Sequence, residues 1–184
     1  PKLIEKARER AANCEFLVMD MEKLRFPNDS FDVVFSSMAM HYLRDWKKVL
    51  AETFRVLRPQ GRLVFSVLHP VKLAAEIKRD EKAGRASFLL GYTNDKKTGV
   101  FHIYGDYLGT KKIIDTFSNG KLVVPFYPKP LSVIFKEIQK SGFRILEFLE
   151  PKATVEAKRV NSVYWQIREK MPLFAVFELE KNKI

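Results

Sequence analysis

Ser30-Phe31-Asp32-Val33-Val34-Phe35-Ser36, followed by Arg55-Val56-Leu57-Arg58-Pro59-Gln60-Gly61-Arg62-Leu63, decides the fold. The first word is a short run rich in Val and Phe between serines, the pattern of a strand buried on both faces. The second closes a helix predicted over 44–57, in which Trp46, Leu50, Thr53 and Leu57 fall in register. That helix stops at Arg58-Pro59-Gln60-Gly61, where Pro suits the second position of a turn and Gly the fourth. Gln at the third position resists positive φ, so a type I turn is expected over type II. Leu63-Val64-Phe65-Ser66-Val67 then reads as a further strand. Strands of this kind separated by helices predict a parallel sheet wrapped by helices.

Toward the N-terminus, Phe16-Leu17-Val18-Met19 ends at Asp20 and reads as another buried strand. Phe26-Pro27-Asn28-Asp29-Ser30 is turn chemistry. Residues 2–12 place Leu3, Ile4, Ala7 and Ala11 on one helical face. Pro1 suits the first helical position, and no capping residue stands before it.

Toward the C-terminus, 71–90 begins helical and becomes ambiguous, and 100–127 reads as strands. Asn119-Gly120 is a strong hairpin turn between Ile113–Phe117 and Leu122–Phe126. Leu131, Ile134, Phe135 and Ile138 mark a helix closed by Gly142. Phe143–Leu149 is a strand, Val160, Val163, Tyr164, Ile167 and Met171 mark a helix, and Leu173–Leu179 is the last strand. A strand-helix frame at each end thus brackets an insertion of roughly 60 residues, longer than ordinary connections. Such insertions serve as lids or substrate-binding elements.

The hydrophobic share of 46% and the aromatic share of 12% argue for a packed domain over a disordered chain. No apolar run approaches the ~20 residues of a membrane helix. A single cysteine, Cys14, excludes a disulfide framework and a cysteine-rich zinc site, and no metal is expected. It is read as a small buried residue in a cytoplasmic protein. The formal charge is +11, but no five basic residues run together, so a solvated surface is the reading over a nucleic-acid face.

The order and spacing of Asp20–Pro27, Ser30–Ser36 and Arg55–Leu63 resemble class I S-adenosylmethionine-dependent methyltransferases of the small-molecule, type 11 kind. Phe126-Tyr127-Pro128-Lys129-Pro130-Leu131-Ser132, Gly142-Phe143-Arg144-Ile145 and Glu150-Pro151-Lys152 are similar to the same branch. The family usually has Gly where this chain has Gln60. The resemblance implies a Rossmann-like α/β/α sandwich with strand order 3-2-1-4-5-7-6 and an antiparallel last strand. It also implies one domain: 1–70 the remainder of a cofactor-binding half, 71–130 a substrate lid, and 131–184 the closing strands and helices. The family's glycine-rich turn and its acidic ribose-binding residue have no counterpart in these residues. The expectation is an N-terminally truncated domain short of roughly 40–60 residues at about 30 per βαβ unit.

By the same resemblance, the Asp20 carboxylate accepts from the adenine amino group and the Met21 N–H donates to the ring. The alternative is a carboxylate capping the next turn. Ser36 and Ser37 begin the loop beneath the methionine portion of the cofactor. His41 and His69, near predicted strand ends, are candidates for a proton acceptor, or else structural histidines. Tyr104, Tyr107 and Tyr127 are candidates to line the acceptor site, or else hairpin packing.

The function implied is methyl transfer from S-adenosylmethionine to an O, N or C nucleophile of a small molecule, with S-adenosylhomocysteine as product. Two other readings stand beside it: a non-catalytic fragment acting as an interaction module, and an RNA-directed methyltransferase. A homodimer, or a partner polypeptide supplying the missing segment, is compatible with the first two.

Overall fold

The computed structural model describes residues 2–11, 13–80, 85–117 and 122–182. The chain opens with α1 (Lys2–Arg10), followed by a long irregular segment. β1 (Phe31–Ser37) comes next, then a single 3-10 turn at Met40–Tyr42, α2 (Lys47–Val56) and β2 (Leu57–Leu68). α3 (Pro70–Ala74) leads into three hairpins: β3 (Glu76–Asp80) with β4 (Arg85–Leu89), β5 (Gly91–Asn94) with β6 (Phe101–Tyr104), and β7 (Ile113–Phe117) with β8 (Leu122–Phe126). α4 (Leu131–Lys140), β9 (Phe143–Leu149), α5 (Val155–Val160), α6 (Ser162–Arg168) and β10 (Phe174–Lys181) complete it. No described helix is long and apolar enough to cross a membrane.

The main sheet has the order β1-β2-β10-β9. β1 and β2 are parallel, and β10 runs antiparallel to both of its neighbours. This matches the last four strands of the order implied by the resemblance. Alternation along β2 and β10 sends Leu63, Phe65, Val67, Ala175, Phe177 and Leu179 to one buried face. α2 and α4 cover that face. Trp46 meets Phe65 edge-on at 5.6 Å, Phe65 stacks on Phe177 at 4.9 Å, and Phe135 packs on Phe177 at 5.6 Å. The opposite face carries ion pairs between strands, Arg62–Glu178 and Arg144–Glu180.

Five expectations change. Residues 16–19 form no strand: Leu17 and Val18 are exposed, and the stretch is held by Arg8 to the Phe16 carbonyl and Arg25 to the Val18 carbonyl. An apolar run becomes a strand only beside a partner, and none of the described strands lies next to it. The helix predicted from 44 begins at Lys47, because Met40–Tyr42 form a separate turn and Trp46 sits at the cap. The stretch 71–90 is helical only to Ala74 and then turns to strands. The helix predicted through Val160–Met171 is two helices broken at Asn161, whose side chain caps the second by accepting from the Tyr164 N–H. Cys14 is exposed rather than buried. Pro1 and the Asn119-Gly120 turn lie outside the described residues, but the strands flanking that turn pair as expected.

The turn at Gln60 is also corrected. Phe31 faces Leu57 and Val33 faces Arg62, so Arg58–Gly61 bulge from the strand. Gln60 adopts φ +67°, the left-handed conformation it was expected to refuse. A Cβ at Gly61 would stand 2.8 Å from the Arg58 carbonyl, so this tight approach fixes Gly61 and passes the strain to its neighbour. A non-glycine residue there costs about 1–2 kcal/mol, partly offset by the ~0.5–1 kcal/mol entropy that glycine loses on folding. Gln60→Gly is therefore expected to stabilise the chain by about 0.5–1 kcal/mol. A urea midpoint unchanged or lowered in this variant contradicts that account.

Candidate functional site

β9 is antiparallel to β10, and β10 to β2, so β1, β2 and β9 all end at the same edge of the sheet. Ligands of open α/β sheets bind outside such carboxyl ends. Ser36 and Ser37 close β1 there, His69 follows β2, and Glu150 follows β9.

Ser36 pairs with Phe65 in the ladder, and its hydroxyl is buried without a hydrogen-bond partner. Ser37 is exposed. Met38 turns the chain with φ +54°, its N–H donating to the Ser66 carbonyl at 3.0 Å. A non-glycine residue at positive φ directly after a strand is the kind of strain that collects at functional loops.

Asp20 lies in the segment before β1, and contacts with α2 fix its height. Glu22 lies 3.8 Å from Lys48, the Leu24 N–H donates to Glu52, and Arg55 donates to the Phe26 carbonyl. The segment therefore runs alongside α2 in the same direction. α2 starts at the carboxyl edge, so Asp20, preceding Glu22, is level with that edge. The Arg55 guanidinium and the Leu24 N–H hold the Glu52 carboxyl down to about 2, which keeps this clamp charged. Asp20 itself is exposed and accepts from the Glu22 N–H at 2.9 Å, so the turn-capping role is present. Met21 packs against the core.

His41 is buried at 2% exposure. Its Nδ1 accepts from the Leu68 N–H at 3.3 Å, its ring stacks on Phe126 at 5.5 Å, and its carbonyl accepts from the Tyr127 N–H. Burial lowers its pKa to about 4. The proton sits on Nε2, which has no protein partner. His41 thus ties the Met40–Tyr42 turn to β2 and β8.

His69 is equally buried. Its Nδ1 caps α3 by accepting from the Val71 N–H at 3.2 Å. Its Nε2 lies 2.7 Å from Glu150 Oε1, a short contact bent off the ideal hydrogen-bond line. Burial lowers its pKa more than the Glu150 carboxylate raises it. Neither imidazole offers an open nitrogen to solvent.

Tyr104 and Tyr107 share one cleft of about 560 Å³, whose walls include Leu90, Tyr92, Phe101 and Ile103. The Tyr107 hydroxyl also accepts from the Leu131 N–H, tying this hairpin region to α4. Tyr127 lies apart from them, in a narrow crevice with His41, Trp46 and Lys129. A further cleft of about 440 Å³ lies between α3 and the β7–β8 hairpin, walled by Leu68, Leu73, Ile113, Ile114 and Phe126. Phe126 connects that cleft to His41 through the ring stack.

Glu150 was not singled out from the sequence as a site residue, although Glu150-Pro151-Lys152 was one of the resembling words. The available signal was its position just past a predicted strand, matching that of His69.

Comparison with known proteins agrees with this architecture. Residues 1–65 match the methyltransferase domain family of type 11. The malonyl-(acyl-carrier protein) O-methyltransferase of Serratia marcescens is 37% identical over 68 residues, covering 37% of this chain and 27% of that protein. The phthiotriol/phenolphthiotriol dimycocerosates methyltransferase of Mycobacterium leprae is 40% identical over 79 residues, covering 43% and 29%. The matched stretches span less than a third of these relatives' own lengths. An S-adenosylmethionine-dependent methyltransferase from Mesorhizobium loti superposes with a TM-score of 0.67 at 23% identity, over 95% of this chain and 75% of that one. In fold the chain is similar to S-adenosylmethionine-dependent methyltransferases, and its first 65 residues match the type 11 methyltransferase domain family.

Proposed function

We propose that the chain carries part of the active site of a methyltransferase acting on a small molecule, with Asp20, Met21, Ser36 and Ser37 toward S-adenosylmethionine. The observation that carries this reading is the buried, unpartnered Ser36 hydroxyl at the same sheet edge as Asp20. An orphaned polar atom at a ligand edge calls for an outside partner. An exposed carboxylate, a backbone N–H beside it and two small hydroxyls also suit a cationic, amine-bearing nucleoside.

In this reading the Asp20 carboxylate accepts from the adenine amino group and the Met21 N–H donates to the ring. The serines let the backbone approach the methionine portion closely. The bound sulfonium supplies the electrophilic methyl group, and the protein supplies alignment and exclusion of water. The three hairpins over 76–126 select the acceptor, with Tyr104, Tyr107 and Tyr127 as candidate contacts. The relatives named above are methyltransferases, one of them specified as acting on oxygen, which favours an oxygen nucleophile.

The test is calorimetry of the full polypeptide with S-adenosylmethionine. A hydrogen bond to a charged group contributes about 1.5–3 kcal/mol, so Asp20→Ala is expected to weaken binding about 10–100-fold. Equal affinity in the wild type and the variant removes Asp20 from the site. No binding in either removes the methyltransferase reading and favours an interaction module.

A further inference from the structure

We infer that Glu150 is the proton acceptor for a hydroxyl-bearing methyl acceptor, and that the buried His69 positions its carboxylate. The inference rests on the methyltransferase reading above and assigns the base within that same site.

Three observations carry it. First, Glu150 follows β9 and His69 follows β2 at the carboxyl edge that also bears Ser36 and Ser37. Second, the two side chains differ in access: His69 is 2% exposed and Glu150 47% exposed, with 2.7 Å between Nε2 and Oε1. Because His69 Nδ1 accepts from the Val71 N–H, the imidazole proton is on Nε2, facing Glu150. A buried ring with a fixed tautomer stands against one carboxylate oxygen of the half-exposed Glu150. The order is that of an orienting residue behind a working one. Third, His69 immediately precedes α3, whose Lys72 and Leu73 help wall the 440 Å³ cleft with Ile113, Ile114 and Phe126. That volume, and a lining apolar but for Lys72 and Asp115, suit a small, largely apolar ring bearing a polar group.

A hydroxyl needs such a base, whereas a carboxylate acceptor, already ionised, does not. As the acceptor oxygen bonds to the methyl carbon, the carbon–sulfur bond breaks and its electron pair returns to sulfur. The hydroxyl proton passes to the Glu150 carboxylate. A carboxylate is weaker than a phenolate by about 6 pK units, but the oxygen becomes strongly acidic as the new bond forms. The demand falls on Glu150 only in the transition state.

The experiment uses the full polypeptide, S-adenosylmethionine and 1-naphthol as probe, with octanoate as the base-independent control. The expected result is methylation of 1-naphthol that falls about 100-fold or more in kcat in Glu150→Gln, within the usual range for a lost general base. Calorimetric affinity for S-adenosylmethionine is expected to stay within 3-fold.

Two His69 variants separate positioning from capping. Gln places a donor near Nε2, so His69→Gln keeps the Glu150 contact and loses the cap. Asn places an acceptor near Nδ1, so His69→Asn keeps the cap and loses Glu150. The expected order is a larger loss of kcat in His69→Asn than in His69→Gln; a purely structural role gives the reverse. Nitrogen-15 NMR is expected to show the Nε2-protonated tautomer of His69 in the wild type.

Bound S-adenosylmethionine with no transfer to 1-naphthol, transfer unaffected by Glu150→Gln, or the reverse order of the His69 variants overturns the inference and leaves the methyltransferase reading standing. Absence of S-adenosylmethionine binding overturns that reading itself.

Discussion

Trp46→Ala is expected to lower the unfolding free energy by about 3–5 kcal/mol, the range for deleting a large buried aromatic ring. Trp46 is 1% exposed and stands at the junction of three elements. It caps α2, its ring meets Phe65 of β2, and its Nε1 donates to the Met40 carbonyl at 2.8 Å. The Lys129 ammonium also lies 5.6 Å over the ring. That ammonium is itself nearly buried, donating to the Arg44 carbonyl and Glu137. Removing the indole therefore opens a void and takes one of two donors from the Met40 carbonyl, which keeps the Leu43 N–H.

Trp46→Phe separates these effects. It keeps most of the ring volume and loses the indole donor, so a cost of about 0.5–1.5 kcal/mol is expected for the one hydrogen bond lost, the Met40 carbonyl keeping the Leu43 N–H. Urea unfolding followed by circular dichroism reads both, since fluorescence would lose one of its two tryptophans. A cost below 1 kcal/mol for Trp46→Ala would show that this junction is not the packed centre described here.

The same junction shows what was legible in the chain. β1, the end of β2, the β7–β8 hairpin, α4, β9 and β10 were predictable because their signals are local: alternation, Asn-Gly, and Gly142 after a helix. Gly142 does take φ +86°. Phe16–Met19 was misread because strand formation depends on a neighbour that local pattern cannot supply. Gln60 was misread because its conformation is set by the steric demand at Gly61, a tertiary effect. At the sheet edge, the ends of β1 and β2 were readable, and with them the places of Ser36 and His69, whereas Asp20 was read as ending a strand that the described residues do not form. The pairing of His69 with Glu150, 81 positions apart in number, needs the sheet order β2-β10-β9 before it can be seen.

Between pH 6.5 and 4 the chain is expected to lose about 3 kcal/mol of stability through His41 alone. Burial lowers the folded pKa of His41 from 6.5 to about 4. Above pH 6.5 the imidazole is neutral in both states and contributes no pH dependence. Below it, the unfolded chain binds a proton that the folded chain refuses, so stability falls at up to about 1.4 kcal/mol per pH unit. The loss levels off once the folded imidazole also protonates near 4. His69, lowered by burial too, adds a loss of the same sign. Glu52 acts in a different window: its folded pKa near 2 stabilises the chain fully above 4.5, and that contribution is lost only as the pH falls toward 2. Between 6.5 and 4.5 the slope therefore reports the buried imidazoles with little interference from this carboxylate. His41→Asn offers an oxygen near the place of Nδ1, so the Leu68 N–H keeps an acceptor while the titrating ring is gone. Urea unfolding at half-unit steps is expected to show the slope reduced by about one proton in this variant. An unchanged slope would mean that His41 is protonated in the folded chain, and the fixed Nδ1 acceptor that pins the Met40–Tyr42 turn to β2 would then have to be abandoned.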